Sequence, residues 1–407
     1  MNRCQKGIIV AVGDYPDGSA TAIRLGMLAR TLNRGGLNVE ILLIHSTSRQ
    51  TIPENKRTAG EIDGVRFRYC NGKTLRPAGL LPAFADTLAG IWATTRFVFG
   101  PASRSVDFVI FYTPNAWLNL LPVAAAVARK IPVFIEACEI RSKTTGRGRF
   151  PWIQKLVNSG DALFERTVPL FSKGVIAISR SIRDFYRVKG VPEEDLFFLP
   201  TLVDVKQYAA ASDDAVQVIE DKQYILNSGK LSEKDGIRYL IAAFKKTAQK
   251  NKDLHLVFTG GHSRWRISEI TASIRNEAIR ERILFTGYLP RKALIRCYQR
   301  AAGLISCRSK SEYAQFGMPV KLAEYLATGT PALVTRVGDV GHYLVDGTSA
   351  YIADPESPAS IALKLEELLS SQNRAERVGA CGQQIASEWF DYRKYSVSLK
   401  RFIQQRV

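Results

Sequence analysis

Short apolar runs separated by longer mixed segments set the rhythm of this chain. GIIVAV (7–12) is the first run, and it is bounded by the turn-rich GDYPDGS. A run so short and so β-branched predicts a buried strand. Apolar residues then recur at Ala20, Ile23, Leu25, Leu28 and Leu32, a helical pattern that stops at Arg34-Gly35-Gly36. NVEILLI (38–44) predicts the next strand. Strand, loop, helix and strand in that order open a parallel α/β sheet. VDFVIFY (106–112), IPVFIEA (131–137) and GVIAIS (174–179) continue the strands. An Ala-rich helix running to Lys130 and the helical segment PWIQKLVNSGDALFERTVPLF lie between them.

Residues 200–222 hold no clear core element and read as a connection between domains. A second series starts at QYILNSG (223–229), followed by the helix IRYLIAAFKKTAQK. Strands LHLVFTGG (254–261), RILFTGY (282–288) and GLISCRS (303–309) come next, then helix VKLAEYLATG and strand PALVT. In ADPESPASIALKLEELL, Ser357 is placed to cap a helix and Pro358 to begin it. From about Asp391 a basic, weakly amphipathic helix is expected. Each half therefore reads as its own nucleotide-binding-type α/β domain, in keeping with about 100–200 residues per domain.

Composition narrows the class. With 46% hydrophobic and 23% charged residues the chain is of ordinary globular type and not disordered. The stretch Pro77 to Pro101 is broken by Asp86 and Arg96, which makes it a poor membrane span. MNRCQKGIIVAVG lacks the apolar core of a signal peptide, so a cytoplasmic location is expected. The six cysteines (4, 70, 138, 297, 307, 381) form no C-x-x-C pair and the four histidines (45, 255, 262, 342) are scattered. Neither a metal motif nor a disulfide framework is expected.

Charge points to anionic partners. The net charge is +19, with 27 basic against 16 acidic residues in 1–200 and 30 against 22 in 201–407. Both halves are basic, which suits nucleic acid, an anionic lipid surface or phosphorylated substrates. No RNA-binding module or dense aromatic–basic platform is present, so a nucleic-acid-binding α/β protein is the weaker class and no nucleic acid is expected. Arg141, Lys143, Arg147 and Arg149 are followed by Phe150 and Trp152. Basic groups beside aromatics suit an anionic membrane surface, although a solvated basic loop is the commoner origin of such a run.

Three segments of the second half point to one anion site. In LNSGKLSEKDGIRYLIAAF (226–244) a strand ends at Gly229, Lys230 and Lys234 follow, and Gly236 opens a helix. Open α/β sheets bind ligands at the carboxyl ends of their strands. A glycine there lets backbone N–H groups reach a phosphate, a helix start adds positive potential, and the lysines can neutralise a diphosphate. In FGMPVKLAEYLATGTPALVT (316–335), Gly317 and Pro319 precede a helix, and Glu324 on it is a candidate acceptor for ribose hydroxyls. Gly260 in TGG (259–261) and Gly287-Tyr288 in TGY (286–288) are strand ends where a flat base can lie on backbone. Each segment alone is also readable as a turn or a surface helix.

In their order these segments resemble the GT-B glycosyltransferases of family 4, the glycosyl transferases of group 1. LNSGKLSEKDGIRYLIAAF is similar to that family's G-R-L-x-x-x-K-G segment, and RILFTGYLPRKALIRCYQRAAGLISC to its F-x-G strand and the stretch after it. FGMPVKLAEYLATGTPALVT resembles its F-G-x-P…E-x-x-A-x-G-x-P block, and VGDVGHYLVDGTSAYIADP the segment that follows. Upstream, GVIAISRSIRDFYRVKGVPEEDLFFLPTLVD resembles its hinge-proximal run. The resemblance implies a GT-B α/β fold, two Rossmann-like domains with parallel sheets facing a central cleft. The expected bounds are 1–203 for an acceptor-binding domain, 204–388 for a nucleotide-sugar-binding domain, and 389–407 for a helix returning to the first.

The resemblance also implies transfer of a sugar from a UDP- or GDP-linked donor, with retention and without a metal or other cofactor. The acceptor would be a glycan or a lipid-diphosphate-linked one, in cell-surface polysaccharide assembly, on the inner face of the membrane. Lys230 and Lys234 would stabilise the leaving diphosphate. Gly18, Ser19, Gly229, Gly260, Gly287, Tyr288, Phe316, Gly317, Met318, Pro319 and Glu324 would bind the donor. The family's His at a strand end of the first domain is replaced by Glu136 and Glu139 as acceptor-side candidates. Its first motif Glu falls at Phe316, with Glu312 or Gln315 as the nearby substitute, and its Arg is Lys230. A GT-B sugar-nucleotide epimerase or hydrolase is the nearest alternative.

Overall fold

A computed structural model describes residues 5–17, 19–48, 55–113, 115–143, 151–210, 219, 222–229, 231–261, 263–317 and 319–407. The chain divides into two units, one made of residues 1–202 with 392–407, the other of 203–391.

Unit 1 is built on eight strands: β1 (Lys6–Ala11), β2 (Asn38–Leu43), β3 (Ala59–Ile62), β4 (Val65–Tyr69), β5 (Phe108–Tyr112), β6 (Val133–Ala137), β7 (Ser172–Ala177) and β8 (Leu196–Phe198). Their order across the sheet is β3-β4-β2-β1-β5-β6-β7-β8. Neighbours run parallel except β3 and β4. The central strands are buried along almost their whole length, as an apolar run covered on both faces must be. Helix Ala20–Arg34 begins where Ser19 accepts a hydrogen bond from the Ala22 N–H. It ends at Gly35, where a Cβ would stand 2.6 Å from the Ser396 carbonyl oxygen. The glycine stop thus also makes room for helix Ser396–Gln404. That helix sends Leu399, Phe402 and Ile403 into the unit 1 core, with Phe402 ring to ring against Phe134 and Phe197. It begins at Ser396, after a turn at Tyr392–Tyr395, and not at Asp391 as expected.

Unit 2 is built on six parallel strands: β9 (Tyr224–Ser228), β10 (His255–Thr259), β11 (Ile283–Gly287), β12 (Gly303–Ser306), β13 (Ala332–Thr335) and β14 (Tyr351–Ala353). The order is β11-β10-β9-β12-β13-β14. β9 lies centrally, with β10 on one side and β12 on the other, which is where the strand order reverses. Such a reversal leaves a crevice at the carboxyl ends of the strands.

Several elements differ from the sequence reading. β3 and β4 form an antiparallel hairpin whose turn, Asp63-Gly64, has φ +51° and +72° at its two central residues. Helix Leu80–Phe99 was read only as a poor membrane span. Residues 200–222, expected to lack a core element, include helix Val205–Ala209, and Tyr208 on it is buried. Val203 forms a bridge with Asp391, its N–H donating to the Phe390 carbonyl.

Candidate functional site

In unit 2 those of the expected residues that the structure describes lie about the ends of β9 to β12, and Ser228 is the hub. Its N–H donates to the Tyr325 hydroxyl at 2.8 Å, and its carbonyl accepts from Lys321 Nζ at 3.0 Å. Its hydroxyl accepts from Tyr298 at 2.7 Å and Tyr325 at 3.1 Å. The two tyrosine rings meet edge to face, centroids 5.1 Å apart. Burial pushes both phenols far above their ordinary value, so they stay neutral and able to donate. Every polar group of Ser228 thus has a partner, which fixes the chain where it turns into Gly229 at φ +105°.

The loop after Gly229 is held from three sides. Lys321 Nζ lies 3.6 Å from Asp235 Oδ1. Arg266 donates to the Leu231 carbonyl at 2.8 Å and approaches Glu233 at 3.2 Å. The Lys234 carbonyl accepts from the Ser309 N–H at 3.0 Å, while the Lys234 side chain is exposed. Gly236 closes the loop at φ +65°, and a Cβ there would stand 1.7 Å from the Cys307 carbonyl oxygen. Only glycine permits that approach.

At the neighbouring strand ends, the Gly260 N–H donates to the Gly287 carbonyl at 2.8 Å. Gly287 has φ +71° and nothing within 4 Å of where its Cβ would be, and the adjacent Tyr288 is 39% exposed. This backbone is open to a flat ligand. Across the site, Arg308 Nη1 donates to the Gly317 carbonyl at 2.6 Å, next to half-buried Phe316. Pro319 then caps helix Val320–Ala327, whose first N–H groups have no partner within the helix.

Glu324 departs from expectation. It is 4% exposed, and Oε1 accepts from the Tyr208 hydroxyl. Arg291 Nη1 lies 2.7 Å from that hydroxyl and 3.7 Å from the carboxylate. Instead of an open carboxylate, the structure holds one that already has a phenol on one of its oxygens. Gln315 is exposed, and its amide donates to the Lys310 carbonyl at 3.3 Å. Gly18, Lys230 and Met318 lie outside the described residues, as do Arg147, Arg149, Phe150 and the Glu312 side chain.

Unit 1 corrects a second expectation. Glu136 is 0% exposed, inside the sheet on β6, and accepts from Arg24 Nε at 2.8 Å. Arg24 is also buried; its Nη2 lies 2.6 Å from the same Glu136 oxygen, and Nη1 and Nη2 donate to the carbonyls of Pro200 and Leu199. Burial raises the Glu136 carboxyl above its ordinary value and Arg24 opposes the rise. Such a carboxylate supports the sheet and cannot touch an acceptor in this conformation. Glu139 is more accessible and pairs with Arg141 at 2.8 Å. Ser19 caps its helix, its hydroxyl accepting from the Ala22 N–H at 3.2 Å.

Lys321, Tyr325, Tyr298, Tyr208 and Arg291 were not singled out from the sequence. Lys321 and Tyr325 flank Glu324 in the quoted block, but a lysine and a tyrosine on an amphipathic helix give no signal of their own. Among the described residues no group of three or more His, Cys, Asp or Glu is placed to hold a metal ion.

Each half is thus an α/β domain on a mostly parallel sheet, and comparison with known proteins assigns the family. The model for glycosyl transferases group 1 matches residues 210–384, and that for a glycosyl transferase 4-like domain matches 19–201. Sucrose-phosphate synthase from Thermosynechococcus elongatus superposes with TM-score 0.75 at 15% identity, covering 98% of both chains. HepE from Anabaena, solved in complex with UDP-glucose, gives 0.67 at 13% identity, covering 98% of this chain and 100% of that one. Mannosylfructose-phosphate synthase of Agrobacterium fabrum is 23% identical over 229 residues, 54% of this chain and 49% of that protein. The chain belongs to the GT-B glycosyltransferases of group 1. It spans about half the length of the curated relatives it matches.

Proposed function

We propose that the protein transfers a sugar, with retention, from a nucleoside-diphosphate sugar to a glycan or lipid-diphosphate-linked acceptor in polysaccharide assembly, at an anionic membrane surface. The observation that carries the donor half is Ser228, held on every polar atom so that the backbone entering Gly229 is fixed in advance. Fixed donors aimed at developing charge are the largest single source of rate enhancement. As the sugar leaves, negative charge grows on the departing diphosphate. Lys230 and Lys234 stabilise it, assisted by the start of helix Val320–Ala327, and no metal is required. Gly260, Gly287 and Tyr288 support the base. Glu324 takes the ribose hydroxyls once Tyr208 yields its place. Ser19 and Gly18 are assigned to the donor, and Glu139, paired with Arg141, is the carboxylate assigned to the acceptor. Solved relatives were crystallised with UDP and with UDP-glucose, which favours uridine among the bases.

The test is a binding screen of UDP, GDP, ADP and dTDP, followed by transfer assays with the matching sugars and NMR of the product anomer. We expect one nucleotide to bind, and Lys230→Ala and Lys234→Ala each to lower kcat/KM by about a hundredfold. If no nucleoside diphosphate binds, or if both variants turn over like the parent, the site assignment is wrong. An inverted anomer removes retention alone.

A further inference from the structure

Three helices of unit 1 carry an outer surface of an unusual kind. Helices Leu80–Phe99, Ala116–Ala128 and Pro151–Phe171 pack each against the next. Arg129 Nη1 donates to the Phe99 carbonyl at 3.1 Å, and the Trp117 indole lies against Gly160. A surface helix of an α/β domain ordinarily turns charged and polar residues to water. Here the first helix buries Ala83, Ile91 and Val98 and also exposes Leu80, Phe84, Leu88 and Trp92 at four-residue spacing. Leu80 is 89% exposed and Trp92 67%. The second helix contains no charged residue and exposes Trp117, Leu120 and Leu121. The third exposes Trp152, Leu156, Leu163 and Leu170 along one stripe. Exposed large apolar side chains on three helices that pack side by side mark a site of association.

The charges on the three helices are sorted as well. Their acidic residues are Asp86, Asp161 and Glu165, and all three are buried. Asp86 accepts from Asn71, Asp161 from the Ala116 N–H, and Glu165 from Ser142. The basic residues Arg96, Lys155 and Arg166 are exposed. The face therefore offers apolar bulk and positive charge with no exposed carboxylate on these helices. A second copy of the same face would bring cations to meet cations, since a two-fold interface pairs a patch with itself. A leaflet of anionic lipid supplies both acyl chains and the missing negative charge. No helix among the described residues is long and apolar enough to cross a membrane, so the contact is one of lying on the surface.

We propose that this three-helix face docks on a bilayer leaflet rich in anionic lipid, with Phe84, Leu88, Trp92 and Trp117 among the acyl chains and Arg96, Lys155 and Arg166 at the phosphates. This rests on the lipid side of the function proposed above and is independent of the donor site. It would hold the acceptor end of the enzyme where a lipid-linked substrate resides.

The test is sedimentation of the full chain with vesicles of phosphatidylcholine, with and without phosphatidylglycerol, at low and high salt, read also by tryptophan emission. We expect binding only with phosphatidylglycerol, a blue shift on binding, and a several-fold loss at high salt. Phe84→Glu/Leu88→Glu replaces exposed residues, so the fold is retained by circular dichroism while partition falls at least about tenfold. Trp265→Ala, an exposed tryptophan of unit 2, leaves partition unchanged. Nucleotide binding by these variants stays at the parent value, which separates this result from failure of the donor site. The proposal is overturned if the parent ignores anionic vesicles, or if Phe84→Glu/Leu88→Glu binds them as the parent does. A parent that dimerises in solution and ignores vesicles, with a monomeric variant, overturns it in favour of an interface between copies.

Discussion

Replacing Tyr325 by Phe deletes one oxygen and leaves the ring, so packing against Tyr298 survives and no cavity opens. What is lost is the hydroxyl that accepts from the buried Ser228 N–H at 2.8 Å and that also donates to the Ser228 hydroxyl. Leaving a buried N–H unpaired costs about 1–3 kcal/mol. Tyr298→Phe is a milder change, because the Ser228 hydroxyl keeps Tyr325 as its partner, and the expected loss is about 0.5–1.5 kcal/mol. In a domain the size of unit 2 each kcal/mol moves the melting point by about 2–4 °C. Calorimetry with and without UDP would identify the unit 2 transition as the one that ligand raises. Tyr325→Phe should lower it more than Tyr298→Phe and should also raise KM for the donor, since the backbone at Gly229 is released. The double variant should fall short of the sum, as both act through one serine. If Tyr298→Phe costs more than Tyr325→Phe, or if neither moves the transition by more than about 1 °C, Ser228 is not the hub described here.

The other outcomes are more local. Gly236→Ala should destabilise unit 2 by more than the ~1–3 kcal/mol of a left-handed non-glycine residue, because its Cβ meets the Cys307 carbonyl; urea unfolding measures it. Glu136→Gln should cost about 3–5 kcal/mol by stranding a buried Arg24 charge, while Arg24→Met/Glu136→Leu should cost less than that single change. His45 gives a pH signature. Burial lowers its pKa from the ordinary 6.5, and the Arg76 guanidinium adds to this while the Ser46 carbonyl, Asp86 and Asp14 oppose it. The unfolded chain then takes up this proton before the folded one does, so its stabilisation is complete above about 6.5 and lost as pH falls through the lower folded value. Melting curves from neutral to mildly acid pH should show that slope, and His45→Gln should flatten it.

The strands were legible wherever both faces of a parallel sheet are buried, because burial writes an unbroken apolar run. β4 was missed because it alternates: Val65, Phe67 and Tyr69 are buried and Arg66 and Arg68 exposed. The Asp63-Gly64 pair was nonetheless a readable hairpin signal. Helix Leu80–Phe99 escaped for the opposite reason: with apolar residues on both sides its period disappears. The glycines and lysines of the unit 2 loops could be picked out because they sit within a few residues of their strand ends. Glu136 and Glu324 could not be judged, since their partners Arg24 and Tyr208 lie 112 and 116 residues away. A carboxylate in a sequence does not announce whether a distant chain segment has already claimed it.

Residues 392–407 complete the core of unit 1, yet the whole of unit 2 is synthesised before them. During translation the first unit must therefore wait, with the groove for Leu399, Phe402 and Ile403 uncovered, for roughly ten seconds or more at ~5–20 residues per second. The order of assembly on the ribosome is inverted: the second unit can finish first, and the first closes only around the helix that follows it. A nascent chain halted anywhere in 203–391 would carry an open apolar seam, making it a natural client for chaperones.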